Sequence, residues 1–294
     1  MILVLGGQGQ LGQELVARAG DAGVALTAVG HGEVDVADPK AIAVAIARIR
    51  PTLVVNAAAY NQVDKAESHP AEAQRANALG PSVAAASSRR AGLPLIHIST
   101  DYVFDGAKVG LYREDDPVAP LNVYGRTKAM GEEGVRNGNP NHLILRTAWL
   151  FGAHGSNFIT TVLRLAAERD SLALVAAQRS TPTATADLAH AILVAAAAIE
   201  RDAAAWGTYH VAGSGVASRY DMATAIVAAQ ARFTGRRPTV DAISIADRST
   251  PAIRPINSAL DSGKFAAAFG YAPGDWKAAV DRAVAEILAK QSDT

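Results

Sequence analysis

Short β-rich runs separated by helical segments repeat along the first half of this 294-residue chain, and few architectures accommodate that rhythm. The strand candidates lie at 2–5 ("ILVL"), 25–30 ("ALTAVG"), 52–56 ("TLVVN"), 94–99 ("PLIHIS") and 143–147 ("LILRT"). Between them run helical segments: one from 10 to about 22, one opened by Asp38-Pro39, and a long one after Pro70. They carry an Asp cap or a Pro in the first turn as start signals and are expected to end at Gly. Repeated strand–helix alternation predicts an α/β fold, a mostly parallel sheet covered on both faces.

After about Trp149 the rhythm loosens into helix, strand, the turn-rich "AAQRSTPT", a helix through "AILVAAAAI", the strand "GTYHVAG" and a tail closing with a helix near 275–289. This predicts two tightly packed units. Residues 1–149 and about 182–213 form the first; residues about 150–181 and 214–294 form a smaller C-terminal one. No low-complexity linker, repeat or charge block divides them.

Directly after the first strand comes "GGQGQLGQEL", where Gly6, Gly9 and Gly12 lead into a helix. Glycine lets backbone approach a pyrophosphate closely, and the first-turn N–H groups, including those of Gln10 and Leu11, suit its charge. Three spaced glycines also serve a tight turn on steric grounds alone. Their place after the first strand favours a doubly wound, Rossmann-like unit binding a dinucleotide. Neither an acid nor an arginine stands at Gly30-His31, so NADPH and NADH both remain open. Asp35 and Val36 are placed to meet the adenine, although Asp35 serves equally well as a turn residue.

Composition narrows the partners. Twenty-eight basic residues balance twenty-eight acidic ones, which does not suit a nucleic-acid binder or a polybasic membrane anchor. Cysteine is absent, so disulfides, thiol nucleophiles and zinc–thiolate sites are excluded. The start "MILVLGG" has no basic region and too short an apolar run for a signal peptide, so a soluble, cytoplasmic protein with small-molecule partners is expected.

The chemistry concentrates in two stretches. "HISTDYVFDG" places Thr100 at the carboxyl end of a strand, where open α/β sheets bind ligands, although a hydroxyl there also satisfies backbone groups. In "LNVYGRTK", Pro117 and Pro120 keep the preceding loop extended and Asn122 can cap a helix. Tyr124 and Lys128 then share one helical face. Carbonyl reduction needs a hydride donor, a proton donor and groups that hold the carbonyl. Tyrosine can give the proton, and a cation ~4 Å away is worth roughly 4 kcal/mol at an effective dielectric of about 20. Such an energy lowers its pKa by about three units. Tyr-x-x-x-Lys alone also describes an exposed helical pair. Glycine loop, rim hydroxyl and Tyr/Lys in this order carry the sequence signature of the extended short-chain dehydrogenase/reductases.

Within that superfamily the chain resembles the dTDP-4-dehydrorhamnose reductase family. The resemblance rests on "VVNAAAYNQVDKAES" (54–68), "STDYVFDG" (99–106), "LNVYGRTK" (121–128), "RTAWLFG" (146–152), "SNF" (156–158) and "RPINSAL" (254–260). It implies reduction of the C4 keto group of dTDP-4-dehydro-L-rhamnose by NADPH or NADH, with Thr100, Tyr124 and Lys128 as the catalytic group. Ala57 and Ala58 would line the cofactor groove, and Asn77 is a structural or relay candidate. Val63, Lys65, Tyr102, Trp149, Asn157 and Arg254 fall where the family meets sugar or phosphate. Each has a plainer alternative: Trp149 as core, Lys65 as a solvated charge, Arg254 as an anchor of the tail.

Dehydratases on this scaffold follow the Thr-Asp pair with glutamate, whereas Tyr102 follows Asp101 here, which favours simple reduction. Reduction of a related dTDP-4-keto-6-deoxyhexose, or a non-catalytic NADP-binding regulatory subunit, are the alternatives. Some family members hold magnesium at a dimer interface. Glu14 and Glu286 match two of those positions, but "PTATAD" (182–187) offers no third glutamate, so no required metal is expected. A monomer and a homodimer are both compatible.

Overall fold

The computed structural model describes residues 1–247 and 249–292, so residue 248 and the last two residues of the expected second unit lie outside the described residues. The first half runs β1 (Ile2–Leu5), α1 (Gln10–Asp21), β2 (Leu26–Val29), α2 (Pro39–Ile49), β3 (Leu53–Asn56), α3 (Val63–Ser68), α4 (Pro70–Gln74), a π-helical turn (Arg75–Leu79), α5 (Gly80–Arg90) and β4 (Leu95–Thr100). A 3₁₀ turn (Asp101–Val103), α6 (Val123–Gly138) and β5 (His142–Thr147) follow. The second half holds β6 (Leu150–Phe151), α7 (Phe158–Glu168), β7 (Ser171–Val175), β8 (Arg179–Ser180), β9 (Thr183–Ala184), α8 (Thr185–Glu200), β10 (Gly207–His210) and β11 (Ala217–Ser218). It closes with α9 (Arg219–Thr234), β12 (Thr239–Ile243), α10 (Gly263–Phe269) and α11 (Trp276–Ser292).

Six strands form one sheet in the order β10-β5-β4-β3-β1-β2, and every pairing is parallel. Alternate side chains leave a strand on opposite faces. Ile2 and Val4 therefore pack with Leu15 of α1 and Ile192 of α8, while Leu3 and Leu5 pack with Ile42 of α2 and Val135 of α6. Both faces are covered, which explains why these strands read as continuous apolar runs. Chain direction across the sheet reverses at β1, between β2 and β3. That is the switch point at which such sheets open a crevice. A separate apolar core gathers α7, α9 and α11 around Phe151, Ile226 and Trp276.

The five strand expectations of the first half hold to within a residue, whereas the strand expected through "GTYHVAG" ends earlier, at His210. Two helix expectations change. Helix α2 starts as read, with Asp38 accepting from the Lys40 N–H at 2.8 Å, but ends on Arg50 in a left-handed conformation (φ 50°) rather than on glycine. The long helix after Pro70 is broken by the π turn, in which the Gly80 N–H reaches back to the Arg75 carbonyl. Pro81 has no N–H to offer the Asn77 carbonyl four residues earlier. That carbonyl faces Gly131 of α6, so the irregular turn is also where the two helices touch.

Candidate active site

The glycine loop stands at the carboxyl end of β1, on the switch point. A Cβ added to Gly6 (φ +90°) would lie 2.7 Å from the Ala58 nitrogen, so β1 and the segment after β3 are in backbone contact there. At Gly12 a Cβ would strike the Gly6 carbonyl at 2.5 Å. Gly9 caps α1 with no side-chain bond, leaving the N–H groups of Gln10, Leu11 and Gly12 without intrahelical acceptors. Ala57 is pinned by its N–H to the Leu5 carbonyl (2.9 Å) and Ala58 by its N–H to Asn56 Oδ1 (3.1 Å). The Gln10 side-chain oxygen is buried without a partner. A cradle closed to any Cβ, a bare helix start and an orphaned polar atom fit a dinucleotide pyrophosphate.

Of the two residues expected toward an adenine, Val36 is buried against Gly80 and stands beside Asp35. Asp35 does work as a turn residue: it accepts from the Ala37 N–H (2.9 Å) and pairs with Arg75 (2.5 Å). Those bonds hold its carboxyl below the ordinary carboxylate range.

Tyr124 is in hydroxyl contact with Thr100, and Lys128 reaches the same strand two residues earlier, at Ile98. Thr100 ends β4 and caps the 3₁₀ turn, accepting from the Tyr102 N–H at 3.2 Å. Asn122 caps α6 by accepting from the Gly125 N–H at 2.8 Å, and its amide donates to the Ile253 carbonyl at 2.8 Å. The cap fixes Tyr124 in the first turn. Burial raises the Tyr124 hydroxyl well above the usual phenol range, a hydroxyl contact from Thr100 opposes this, and Asp101 and Tyr102 add to it. The result runs opposite to the depression expected from Lys128, because burial strips the phenolate of its hydration. Lys128 is itself buried, donates to the Ile98 carbonyl at 2.6 Å, and is brought down to about 8 by burial against the pull of Glu132.

Glu132, one turn beyond Lys128, anchors the helix. It accepts from Ser99 (2.6 Å), from Arg146 at both oxygens (2.8 and 2.7 Å) and from Arg136 (2.6 Å). Burial alone would raise its carboxyl, but Arg146, Ser99 and Arg136 bring it to about 2. Asn77 acts structurally: it accepts from the Tyr60 N–H at 2.8 Å and donates to Thr127 at 3.2 Å.

Three residues of the site had no assigned role in the sequence reading. Asp101 is fully buried and accepts from Thr100 (3.0 Å), Ser180 (3.1 Å) and Ser258 (2.5 Å); burial lifts it to about 6 against those hydroxyls. It sits inside "STDY" and was legible as an acid next to Thr100. Asp64 and Arg219 line a cavity of about 580 Å³ together with Tyr102, Trp149 and Arg254. The Arg254 fork grips Asp64 at 3.0 and 2.8 Å, so the anchor reading of this residue describes its present contact. Arg219 lies 3.8 Å over the Trp149 ring and 4.6 Å from that of Phe158, and no local spacing announces this. Trp149 adopts φ +44°, an uncommon conformation for a bulky residue, and its indole N–H is buried without a partner.

Other expected site residues stand apart from the cavity lining. Lys65 is exposed, and Val63 begins α3. Asn157 caps α7 through a reciprocal box with Thr160 and donates to the Gly152 carbonyl at 2.8 Å, which uses its amide fully. Glu14 bonds Arg18 (2.8 Å) and Thr185 (3.3 Å), and Glu286 pairs with Lys290 (2.8 Å). Among the described residues, no group of three or more His, Asp or Glu side chains is placed to hold a metal ion, and no helix is long and apolar enough to cross a membrane.

The family model described as RmlD substrate binding domain matches residues 1–289. A dTDP-4-dehydrorhamnose reductase of Aggregatibacter actinomycetemcomitans is 40% identical over 97% of this chain and 99% of its own length. A protein of Streptomyces antibioticus, described as a probable dTDP-4,6-dihydroxy-2-methyloxan-3-one 4-ketoreductase, is 40% identical over 98% of this chain and 96% of its own. The crystal structure of dTDP-4-dehydrorhamnose reductase from Bacillus anthracis in complex with NADP superposes with a TM-score of 0.89 at 30% identity, covering 97% of this chain and 98% of that one. By whole-length match, fold and motif, the chain belongs to the dTDP-4-dehydrorhamnose reductase family.

Proposed function

We propose that this protein reduces the C4 keto group of dTDP-4-dehydro-L-rhamnose to give dTDP-L-rhamnose. The observation that carries the reading is the contact of Tyr124 with Thr100 at the end of β4, with Lys128 on the Ile98 carbonyl of the same strand and Tyr102, which meets the Tyr124 ring, lining a cavity of about 580 Å³. That volume lies in the range of small-molecule sites. Gly6, Gly9, Gln10, Leu11, Gly12, Ala57 and Ala58 would hold the pyrophosphate and its neighbours, with Asp35 and Val36 toward the adenine. A bound reduced nicotinamide supplies the hydride.

The chain's own residues manage the proton. A phenol whose ionisation is disfavoured is neutral at physiological pH, so Tyr124 is ready to donate to an alkoxide forming at C4. Thr100 keeps the phenol oxygen in register, while Asp101 takes the Thr100 hydrogen. Lys128, poised at about 8, supplies positive potential as the phenolate appears and would bond the nicotinamide ribose. Tyr102, Trp149 and Arg254 would meet the sugar and diphosphate in the cavity. In this division, residues 1–149 and about 182–213 carry the cofactor and lend Tyr102 and Trp149 to the cavity, and the remainder carries the rest of the substrate site.

A related dTDP-4-keto-6-deoxyhexose is the second reading, favoured by the 40% identity to the Streptomyces ketoreductase. Mixing the protein with reduced nicotinamide and each keto sugar, while following absorbance of the cofactor, separates them. The expected result is consumption with dTDP-4-dehydro-L-rhamnose. Faster turnover of another keto sugar moves the assignment to that sugar, and no consumption with NADPH or NADH removes the reductase reading.

A further inference from the structure

What stands at the carboxyl end of the second strand decides how a dinucleotide's adenosine ribose is met. A carboxylate accepts from a free 2′-hydroxyl, and an arginine accommodates a 2′-phosphate. Gly30, just past β2, has no side chain to do either. It is in contact with the glycine loop, because a Cβ placed there would lie 2.6 Å from the Gln8 side chain. The chain then turns back: the N–H groups of Glu33 and Val34 each donate to the Gly30 carbonyl at 3.0 Å. The turn returns the Glu33 carboxylate to the strand end, where Oε1 accepts from the Gly30 N–H at 3.2 Å. A charge absent from the end of the strand in sequence is thus restored there in space, about twenty residues beyond the last loop glycine, the usual separation for this role.

The nearby cations do not reverse the sign. Arg75 is paired with Asp35 at 2.5 Å, and Asp35 is held in its charged form by that pair and by the Ala37 N–H. His31 is the other basic group of the segment and is exposed. A 2′-phosphate would bring its negative charge against Glu33 and Asp35, with Arg75 already engaged. We propose that Glu33 selects the 2′-hydroxyl of NADH against the 2′-phosphate of NADPH. The proposal rests on the dinucleotide reading of the glycine loop.

Direct titration of the protein with NADH and with NADPH, by calorimetry or quenching of its own fluorescence, tests both ideas without turnover. The wild type is expected to bind NADH at least about tenfold more tightly, the scale of one hydrogen bond to a charged group. Glu33→Gln keeps the size of the side chain and an acceptor for the Gly30 N–H while removing the charge. It should shrink the NADPH-to-NADH Kd ratio about tenfold, chiefly by tightening NADPH. An unchanged ratio in a Glu33→Gln protein with wild-type melting temperature overturns the selection, as does a wild type that prefers NADPH. If the wild type binds neither nucleotide, the dinucleotide reading falls and the selection with it.

Discussion

At the scale of single residues, the proposed proton donor is a phenol that burial keeps protonated. Tyr124→Phe removes the transferable hydrogen while keeping the ring that meets Tyr102 edge-on at 5.8 Å. Turnover should fall by about 10²–10⁴-fold, the usual worth of a positioned general acid, with cofactor affinity nearly unchanged; stopped-flow turnover and a binding titration check the two halves. Glu132 makes a different case. Glu132→Gln would leave Arg146, 1% exposed and with one Nη already unpartnered, as a buried charge without its counterion. The cost is expected at about 3–5 kcal/mol in denaturant unfolding. Tyr124 and Lys128 were legible because helical spacing places them on one face. The environment of each was not, since burial against Ile98, Thr100 and Glu132 comes from elements far apart in sequence. Asp64 and Arg219 were missed for the same reason: the partner lies 190 residues away for Asp64, and for Arg219 the partners lie in the link between β5 and β6 and on α7.

At the scale of elements, α6 is the part that places Tyr124, the proposed proton donor. Four glycines in a helix of 16 residues is a poor composition for helix propensity. Two of them are explained by contact with backbone: a Cβ at Gly125 would run into the Tyr102 carbonyl, and one at Gly131 into the Asn77 carbonyl. Helix propensity is given up so that α6 can lie against the backbone of the 3₁₀ turn and the π turn. Gly125→Ala should therefore destabilise by about 1–3 kcal/mol despite alanine's better propensity, and should lower kcat more than it raises KM because the first turn carrying Tyr124 must lift. Urea unfolding and steady-state kinetics on the same protein measure both. Elements were well foreseen where local signals rule, as with the Asp38 cap and the Asn122 cap. The interruption after Pro70 was not, because the signal in Gly80-Pro81 acquires its meaning only from the helix packed on the other side.

At the scale of the whole molecule, the parallel sheet and its glycine crevice followed from the alternation of runs, while the assembly of the second core did not, since its two-residue strands carry no period. Buried titratable groups make stability depend on pH. Burial and the charge of Arg146 bring His210 down to about 3, and His97 is also well below its ordinary value through burial. The unfolded chain takes up these protons near pH 6.5, so between about 6.5 and 3 it binds more protons than the folded one, and stability falls as pH falls. Asp101 works in the opposite direction: raised to about 6, it keeps its proton in the fold where the unfolded chain has lost it, so its contribution shrinks as pH rises from about 3.8 to 6. With two fully or nearly buried histidines against one aspartate, the melting temperature should drop between pH 7.5 and 5, and His210→Asn should flatten that drop in calorimetric scans. The same Asp101 also binds the molecule together in time. Its carboxylate is met by Thr100, by Ser180 and by Ser258, the last of them 157 positions further along the chain than Asp101. On an emerging polypeptide, the strand bearing Thr100 is made early, but the last hydroxyl that settles the buried acid arrives only when synthesis is nearly finished. The hydrogen-bond set around Asp101 is therefore complete only once residue 258 is present, and a chain released before it would lack one of the three hydroxyls that meet the buried acid.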